Sequence, residues 1–249
     1  MEIKRVCLIG PEAMGASIEQ GCKKVGIEFK RVNIERKIGD LKEVDLLIDQ
    51  FFGDAPLKQK IIEKAGGAVS EKTILASNPF FISLTQIGSF AKRPDKVIGF
   101  LPPFYSGVNN FVEIVVGEET SEETFQSLRI FLERIGFNYI KSKDYAGCVL
   151  NRVLASMINE ATYVYMHGLA TMEGIDQMMK LGANFPLGPF EYADEIGLDN
   201  ILMLLNLMRK ELGPKYRPCP LLVRRVEAGC LGKKTGKGFY DYPSNHPNS

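Results

Sequence analysis

The first residues whose types and spacing could do chemistry are two glycines that follow a short apolar run. In "VCLIGPEAMG", Gly10 and Gly15 have the outer spacing of G-x-G-x-x-G, a turn whose glycines let the backbone approach the pyrophosphate of a dinucleotide. Glu12 occupies the middle glycine position. A carboxylate about 4 Å from a phosphate charge costs roughly 4 kcal/mol at an effective dielectric near 20. The segment is either a weakened dinucleotide turn or a tight strand-to-helix turn without nucleotide.

The position that should hold the ribose is also altered. An acid usually ends the second strand of such a fold and accepts hydrogen bonds from the ribose hydroxyls. Here the strand reads "KRVNIE", which places Asn33 at that position, with Glu35 two residues further on as a potential replacement for the acid. Together with Glu12, this predicts weak or absent dinucleotide binding.

Composition excludes several classes of partner. The formal net charge of +1 provides no long-range attraction to nucleic acid or to an anionic membrane. The five cysteines are scattered without a C-x-x-C pair, which favours reduced thiols and a cytoplasmic location. No apolar run is long enough for a signal sequence or a membrane span. Nothing in the cysteine and histidine spacing predicts a metal site; the two histidines are His167 and His246.

Apolar patterning predicts two domains. Short apolar runs alternate with helical segments up to about residue 143, which predicts an α/β fold with a mainly parallel, doubly wound sheet. From residue 146 the apolar spacing is helical throughout. We therefore expect a Rossmann-like domain over 1–145, an all-α domain over 146–242, and a flexible tail over 243–249.

One helix of the second domain is apolar around most of its circumference. In "NILMLLNLMRKELG", this pattern requires cover on several sides. We expect a second subunit to provide it and to bury Leu202, Leu205 and Met208; the alternative is a core helix within one chain.

The second half of the chain carries a specific resemblance. The segments "MMKLGANFPLGPFEYADEIGLD" and "KYRPCPLLVRRVEAGCLGKKTGKGFYDY" resemble the C-terminal domain of the 3-hydroxyacyl-CoA dehydrogenases. "AGCVLNRVLASMINEA", "ILASN" and "KRPDKVIG" extend the resemblance over nearly the whole chain. It implies an NAD-dependent, two-domain protein that dimerises through its C-terminal helices. The sheet domain is shortened, because only "ERKIGDLKE" stands where the family has a helical excursion that helps bind CoA.

The resemblance also assigns site residues, and several depart from the family's types. The family's acid/base histidine, in "HFFNP", falls on Leu101 of "IGFLPPFYS". The asparagine of that segment falls on Phe104, and the family's serine in "SNTS" falls on Phe80. The glutamate that orients the histidine is kept as Glu113, and the asparagine of "VNR" is kept as Asn151.

Two further positions resemble the family's nicotinamide loop, and one side chain is a potential replacement base. Asp49 and Lys58 of "DQFFGDAPLKQK" stand at related places in that loop, where the second acid is Gly53. Tyr105 is the titratable side chain beside the lost histidine, although an unperturbed tyrosine pKa near 10 makes it a poor base at neutral pH.

Two functions remain open at this point. The favoured one is a catalytically impaired or inactive subunit that acts in assembly, as a homodimer or with an active relative, and that keeps acyl-CoA binding. The alternative is an active NAD-dependent dehydrogenase, or a related acyl-CoA enzyme, with a rearranged site that uses Tyr105 or a water held by Glu113 and Asn151.

Overall fold

The computed structural model divides the chain into two compact units, Met1–Cys148 and Val149–Ser249. It describes five stretches of the chain: residues 1–10, 15–32, 41–51, 55–103 and 110–243. Four candidate site residues and most of the expected tail lie outside these stretches: Glu12, Asn33, Phe104, Tyr105 and residues 244–249.

The first unit is built on a seven-stranded sheet, as the alternation of apolar runs predicts. Its spatial order is β2-β1-β3-β4-β5-β6-β7, and every neighbouring pair is parallel except β5 with β6. All residues of β3 and β4 are buried, as expected for central strands covered on both faces. The strands are β1 Arg5–Ile9, β2 Glu28–Val32, β3 Leu46–Asp49, β4 Ile74–Ser77, β5 Val97–Leu101, β6 Phe111–Val116 and β7 Asn138–Lys143.

Helices cover this sheet and complete its core. Among the described residues they are α1 Ala16–Lys24, α2 Ala55–Ala68, α3 Leu84–Ser89 and α4 Glu122–Arg134, with a 3₁₀ turn at Pro94–Lys96. The main apolar cluster joins the inner faces of α1 and α4 to the central strands, through residues such as Cys22, Leu128 and Phe131. The α/β, Rossmann-like class is thereby confirmed.

The second unit is helical. Its helices are α5 Leu150–Met166, α6 Met172–Gln177, α7 Pro189–Ile196, α8 Leu198–Leu212 and α9 Pro220–Glu227. A π-helical turn, Met178–Gly182, continues α6, and 3₁₀ turns lie at Pro214–Tyr216 and Lys233–Thr235. The long helix α5 packs against α7, α8 and α9. No helix in the described part of the chain is long and apolar enough to cross a membrane.

The apolar circumference of α8 has an explanation within one chain. Leu205 and Met208 are fully buried, and α8 is covered by α5, α7, α9 and the turn at Pro214–Tyr216. Leu202 is half-buried. Leu205 and Met208 therefore need no second subunit for their burial, and the expectation was wrong for these two side chains, whereas the dimer itself stays a prediction. Helical periodicity shows how many sides need cover, but it does not show whether the covering helices belong to the same chain.

Candidate active site

Three parallel strands bring chemistry-bearing residues to one edge of the sheet. Ile9, Asp49 and Ser77 are the last residues of β1, β3 and β4, and they are neighbours in the strand register. In doubly wound sheets, ligands bind outside the carboxyl ends of the strands. This edge is therefore the candidate site for a nucleotide.

The glycine turn after β1 is required by packing as well as by any ligand. Gly10 has φ +148°, and a Cβ there would lie 3.0 Å from the Cβ of Gln50. Gly15 has φ +106°, and its Cβ would lie within about 2.4 Å of the Leu8 side chain. Both positions thus exclude a side chain for reasons internal to the fold, so their spacing alone does not demonstrate nucleotide binding.

Asp49 is the centre of a buried hydrogen-bond network at the sheet edge. Its Oδ2 accepts hydrogen bonds from Lys58 Nζ at 2.5 Å and from Ser77 Oγ at 2.6 Å. Its Oδ1 accepts one from the backbone N–H of Phe51 at 3.0 Å. The carboxylate therefore ties the end of β3 to α2, to β4 and to the loop that follows β3.

Lys58 is buried together with its partner. The side chains of Lys58 and Asp49 are 1% and 4% exposed, and Lys58 Nζ also donates to the carbonyl oxygen of Phe51 at 2.7 Å. Burial lowers the pKa of Lys58, while the negative charge of Asp49 opposes that change. The two side chains predicted for the nicotinamide loop thus satisfy each other.

A second set of hydrogen-bonded polar side chains, which the sequence analysis did not select, lies at the same edge of the sheet. Gln50 Nε2 donates to the carbonyl oxygen of Phe100 at 3.1 Å, and Asn78 Nδ2 donates to Gln50 Oε1 at 3.3 Å. Asn78 is 2% exposed, and its Oδ1 has no hydrogen-bond partner within the described part of the chain. The sequence feature that could have identified Asn78 is its position directly after β4, at the carboxyl edge of the sheet.

The strand pair β5–β6 places Leu101 directly across from Glu113. The two are Cα partners in the antiparallel register, with Phe100 opposite Ile114. Leu101 is 4% exposed and Glu113 is 3% exposed. A buried carboxylate thus lies opposite a side chain that can neither donate nor accept a proton.

A cysteine that the sequence analysis did not select also lies in the electrostatic field of Glu113. Cys148 is buried and has φ +51°, which is uncommon for a residue with a side chain. Burial raises the pKa of its thiol, and the charges of Glu113 and Asp144 raise it further. Cys148 is therefore a protonated thiol at neutral pH and not a base. Within the described stretches, no group of three His, Cys, Asp or Glu side chains could hold a metal ion.

Two family models match the chain, one for each unit. The model described as the NAD binding domain of 3-hydroxyacyl-CoA dehydrogenase matches residues 6–145, and the model of the C-terminal domain matches residues 147–242. The chain belongs to the 3-hydroxyacyl-CoA dehydrogenase family.

Individual relatives agree with the family. The chain is 39% identical to the 3-hydroxybutyryl-CoA dehydrogenase of Bradyrhizobium diazoefficiens, over 88% of this chain and 75% of that protein. It is 40% identical to a probable 3-hydroxybutyryl-CoA dehydrogenase of Bacillus subtilis, over 86% of this chain and 75% of that protein. The crystal structure of (S)-3-hydroxybutyryl-CoA dehydrogenase PaaH1 from Ralstonia eutropha superposes with a TM-score of 0.87 at 34% identity, covering 98% of this chain and all of that one.

Because the chain belongs to the dehydrogenase family, the Leu101–Glu113 pair can be compared with the family's catalytic residues. By the resemblance, Leu101 stands at the acid/base histidine, and Glu113 is the glutamate that would orient it. Phe80, at the family's serine, is 2% exposed, and its ring packs edge-on against Phe81 with centroids 4.4 Å apart. By the same resemblance, Leu101 and Phe80 would put buried hydrocarbon at the positions that the family gives to a proton-transfer group and a hydroxyl.

The remaining described residue that was predicted for the dehydrogenase site, Asn151, belongs to the second unit, as does His167, which was not predicted to act in it. Asn151 lies in the first turn of α5, is 5% exposed, and has an Nδ2 without a hydrogen-bond partner in the described part of the chain. His167 follows the last residue of α5 and is exposed, with its ring 6.0 Å from that of Tyr163.

The segments that carry the dehydrogenase resemblance build two buried carboxylate sites in the second unit. Asp194 accepts hydrogen bonds from the backbone N–H groups of Phe239 and Tyr240 at 2.8 and 2.9 Å, and from the Tyr242 hydroxyl at 2.9 Å. At Gly238 an added Cβ would lie within about 2.0 Å of Asp194. The glycine and tyrosines of "GKGFYDY" therefore serve to pack this carboxylate.

Asp176 is a second buried carboxylate of this kind, and its backbone donors belong to the segment "LGPFEYAD". It accepts hydrogen bonds from the backbone N–H groups of Phe190 and Glu191 at 2.9 and 3.2 Å, and from the Tyr240 hydroxyl at 2.8 Å. Burial raises the pKa of both carboxyls, although these hydrogen bonds oppose the change. Since every donor belongs to the second unit itself, this network stabilises its fold.

Proposed function

We propose that this member of the family has lost most of the alcohol-oxidising activity for which its relatives are named. We propose further that it acts as a subunit of an assembly and retains acyl-CoA binding. The observation that carries the proposal is the position of Leu101 opposite Glu113 in the β5–β6 register.

The chemistry of the family explains why this position matters. Oxidising a secondary alcohol by hydride transfer also requires removal of the hydroxyl proton. A positioned base contributes about 10²–10⁴-fold to such a step. Leu101 cannot accept the proton, and the neighbouring Cys148 is held protonated by its raised pKa. Phe80 adds an apolar surface near a reacting oxygen that needs hydrogen-bond donors.

The sheet edge fits NAD in part. Gly10 and Gly15 bring no side chain to either end of the turn, and Asn78 Oδ1 is a buried acceptor with no partner among the described residues. When bound there, NAD would supply the hydride acceptor. We propose that it binds weakly, because Glu12 adds a negative charge to the turn and because Asp49 and Lys58 already pair with each other.

Assembly is proposed to use the segment between α5 and α7. Leu205 and Met208 of α8 are buried inside the chain, although Met203 of the same helix is 46% exposed. The most exposed large apolar side chains among the described residues lie in the segment between α5 and α7: Leu169, Met178 and Leu181 are 73%, 69% and 86% exposed. Such side chains favour contact with a partner. We propose a homodimer; sedimentation alone and with an active relative distinguishes it from a hetero-oligomer, and a clean monomer in both would contradict the assembly proposal.

The activity test is NADH formation with 3-hydroxybutyryl-CoA and longer 3-hydroxyacyl-CoA substrates at high NAD⁺. The Bradyrhizobium relative, assayed in parallel, is the positive control. We expect turnover far below the usual enzyme range of about 1–10³ s⁻¹. Turnover within that range would reject the proposal and favour the rearranged site, and Tyr105→Phe would then test that side chain as the base. Calorimetric titration with NAD⁺, repeated on Glu12→Gly, tests the cofactor part separately, and low-micromolar affinity in the unmodified chain would contradict it.

A further inference from the structure

A groove in the second unit lies between α8 and α9. It encloses about 420 Å³, within the usual range for small-molecule sites. Its walls come from one face of α8, from the connection between the helices and from one face of α9. The lining residues are Leu202, Asn206, Arg209, Arg217, Pro218, Pro220, Val223, Arg224 and Glu227.

Three arginines set this groove, hereafter the arginine groove, apart from the rest of the described chain. The guanidinium groups of Arg209, Arg217 and Arg224 have no ion pair or hydrogen bond to any described residue, whereas every other described arginine has such a partner. Those partnered arginines are Arg5, Arg31, Arg93, Arg129 and Arg134, which bind carboxylates, and Arg152 and Arg225, which donate to a tyrosine hydroxyl and a backbone carbonyl.

The charge of the arginine groove is unbalanced. Glu227 is the one carboxylate among its lining residues, against three guanidinium groups. Like charges gathered around one cavity repel each other, so they are stabilised when an anion occupies it. The chain as a whole has a formal net charge of only +1, which makes this a local concentration of positive charge.

The backbone that carries Arg217 is held in place. The buried Asn159 of α5 donates through Nδ2 to the Arg217 carbonyl oxygen at 3.0 Å, and its Oδ1 accepts from the Cys219 N–H at 2.8 Å. Pro218 and Pro220 restrict the same connection further. The backbone at such a position loses little conformational entropy when a ligand binds.

We infer that the arginine groove binds a small phosphate-bearing anion, with Arg209, Arg217 and Arg224 as its ligand-binding residues. Guanidinium groups match phosphate oxygens through paired N–H donors. A diphosphate group offers enough oxygens and charge for several arginines. Leu202 and Val223 supply an apolar wall for an organic body attached to the phosphate. Free diphosphate and a nucleoside diphosphate share this chemistry.

The test is calorimetric titration of the full chain with inorganic pyrophosphate and, separately, with ADP at low ionic strength. Arg209→Gln and Arg217→Gln should each weaken binding about 10- to 100-fold, the usual effect of losing hydrogen bonds to a charged group. Lys210→Gln is the matched control, since it removes the same charge from an exposed residue of α8 that does not line the groove, and it should leave affinity nearly unchanged. Tighter binding of ADP than of pyrophosphate would identify a ligand with an organic body, and equal binding would identify free diphosphate.

Glu227→Gln tests the same site in the opposite direction. Removing the groove's carboxylate should tighten pyrophosphate binding by about 2- to 5-fold. Absence of binding by both probes, or binding that the arginine variants leave unchanged, would overturn the inference. A change of oligomeric state in Arg217→Gln, with no binding by the unmodified chain, would instead identify the groove as a contact between copies.

Discussion

Replacing Lys58 with methionine is expected to destabilise the first unit strongly. Methionine keeps most of the volume of the lysine stem but removes the ammonium group that donates to Asp49 and to the Phe51 carbonyl. Because the two charged side chains are 1% and 4% exposed, water cannot take its place. Removing one partner of a buried ion pair costs about 3–5 kcal/mol, since the other charge remains uncompensated. Ser77 and the Phe51 N–H still donate to Asp49, so we expect a value near 3 kcal/mol.

Urea unfolding at neutral pH, followed by circular dichroism, measures this loss. With a slope of about 1–3 kcal/mol per molar urea, the midpoint should fall by at least about 1 M. Lys60→Met on the same helix is the matched control, because Lys60 is exposed and forms no such network, and its midpoint should not move. Equal midpoints for both variants would refute the buried pair. The double variant with Asp49→Asn should be less destabilised than the sum of the single variants, as expected for directly coupled residues.

Three other outcomes follow from the same structure. Gly238→Ala should lower the free energy of unfolding by at least about 2 kcal/mol, because its new Cβ would collide with the hydrogen-bonded Asp194. Gly67→Ala is the control, since no atom lies within 4 Å of its new Cβ, and it should not destabilise the protein. Thermal unfolding of the two variants, measured side by side, tests this difference. Burial and the charge of Asp194 raise the pKa of Tyr242 above its usual value near 10, so the folded state keeps a proton that the unfolded state loses. Stability should then be complete below about pH 10 and fall as the pH rises above it, and Tyr242→Phe should reduce that alkaline slope in pH-dependent melts; an unchanged slope would contradict the assignment. Leu101→His should leave NADH formation below about 1 s⁻¹. One restored base does not rebuild a site whose glycine turn and proline-containing segment after β5 also differ from the family's sequence. Turnover above that value would show that the missing base is the main defect.

The alternation of apolar runs was sufficient to predict the sheet domain. The run "VDLLID" contains strand β3, which is buried on both faces. A strand with apolar side chains on both faces is stable only at the centre of a sheet, where both faces are covered. The start of α4 also follows a local pattern, a serine directly before a helical segment: Ser121 Oγ accepts from the Thr124 N–H at 3.2 Å. These features depend on local pattern, and local pattern is visible in the sequence.

Features that depend on distant pairing were not predictable in the same way. The antiparallel register that sets Leu101 against Glu113 joins strands that are separated by residues 102–110. The sequence identifies both positions as candidates but does not predict that they are Cα partners. The sequence predicted an all-α domain but did not bound the short helices α6 and α9, which have six and eight residues and therefore show little periodicity. The hydrogen bond that the Tyr242 hydroxyl donates to Asp194 spans 48 residues and has no local sequence signature.

The location of these networks explains why the family is easily identified while the activity is not. The segments that most resemble the family bury Asp176 and Asp194 among backbone amides and tyrosine hydroxyls, and a change there would leave a buried carboxylate without its hydrogen bonds. Leu101 has no comparable structural constraint, because an apolar side chain packs well in the buried strand pair whether or not chemistry occurs. The folding requirements of the second unit thus preserve the resemblance independently of proton transfer at the sheet. Similarity over the whole chain is therefore evidence for the architecture, whereas evidence for the reaction has to come from the side chains that would carry out the chemistry, with Leu101 first among them.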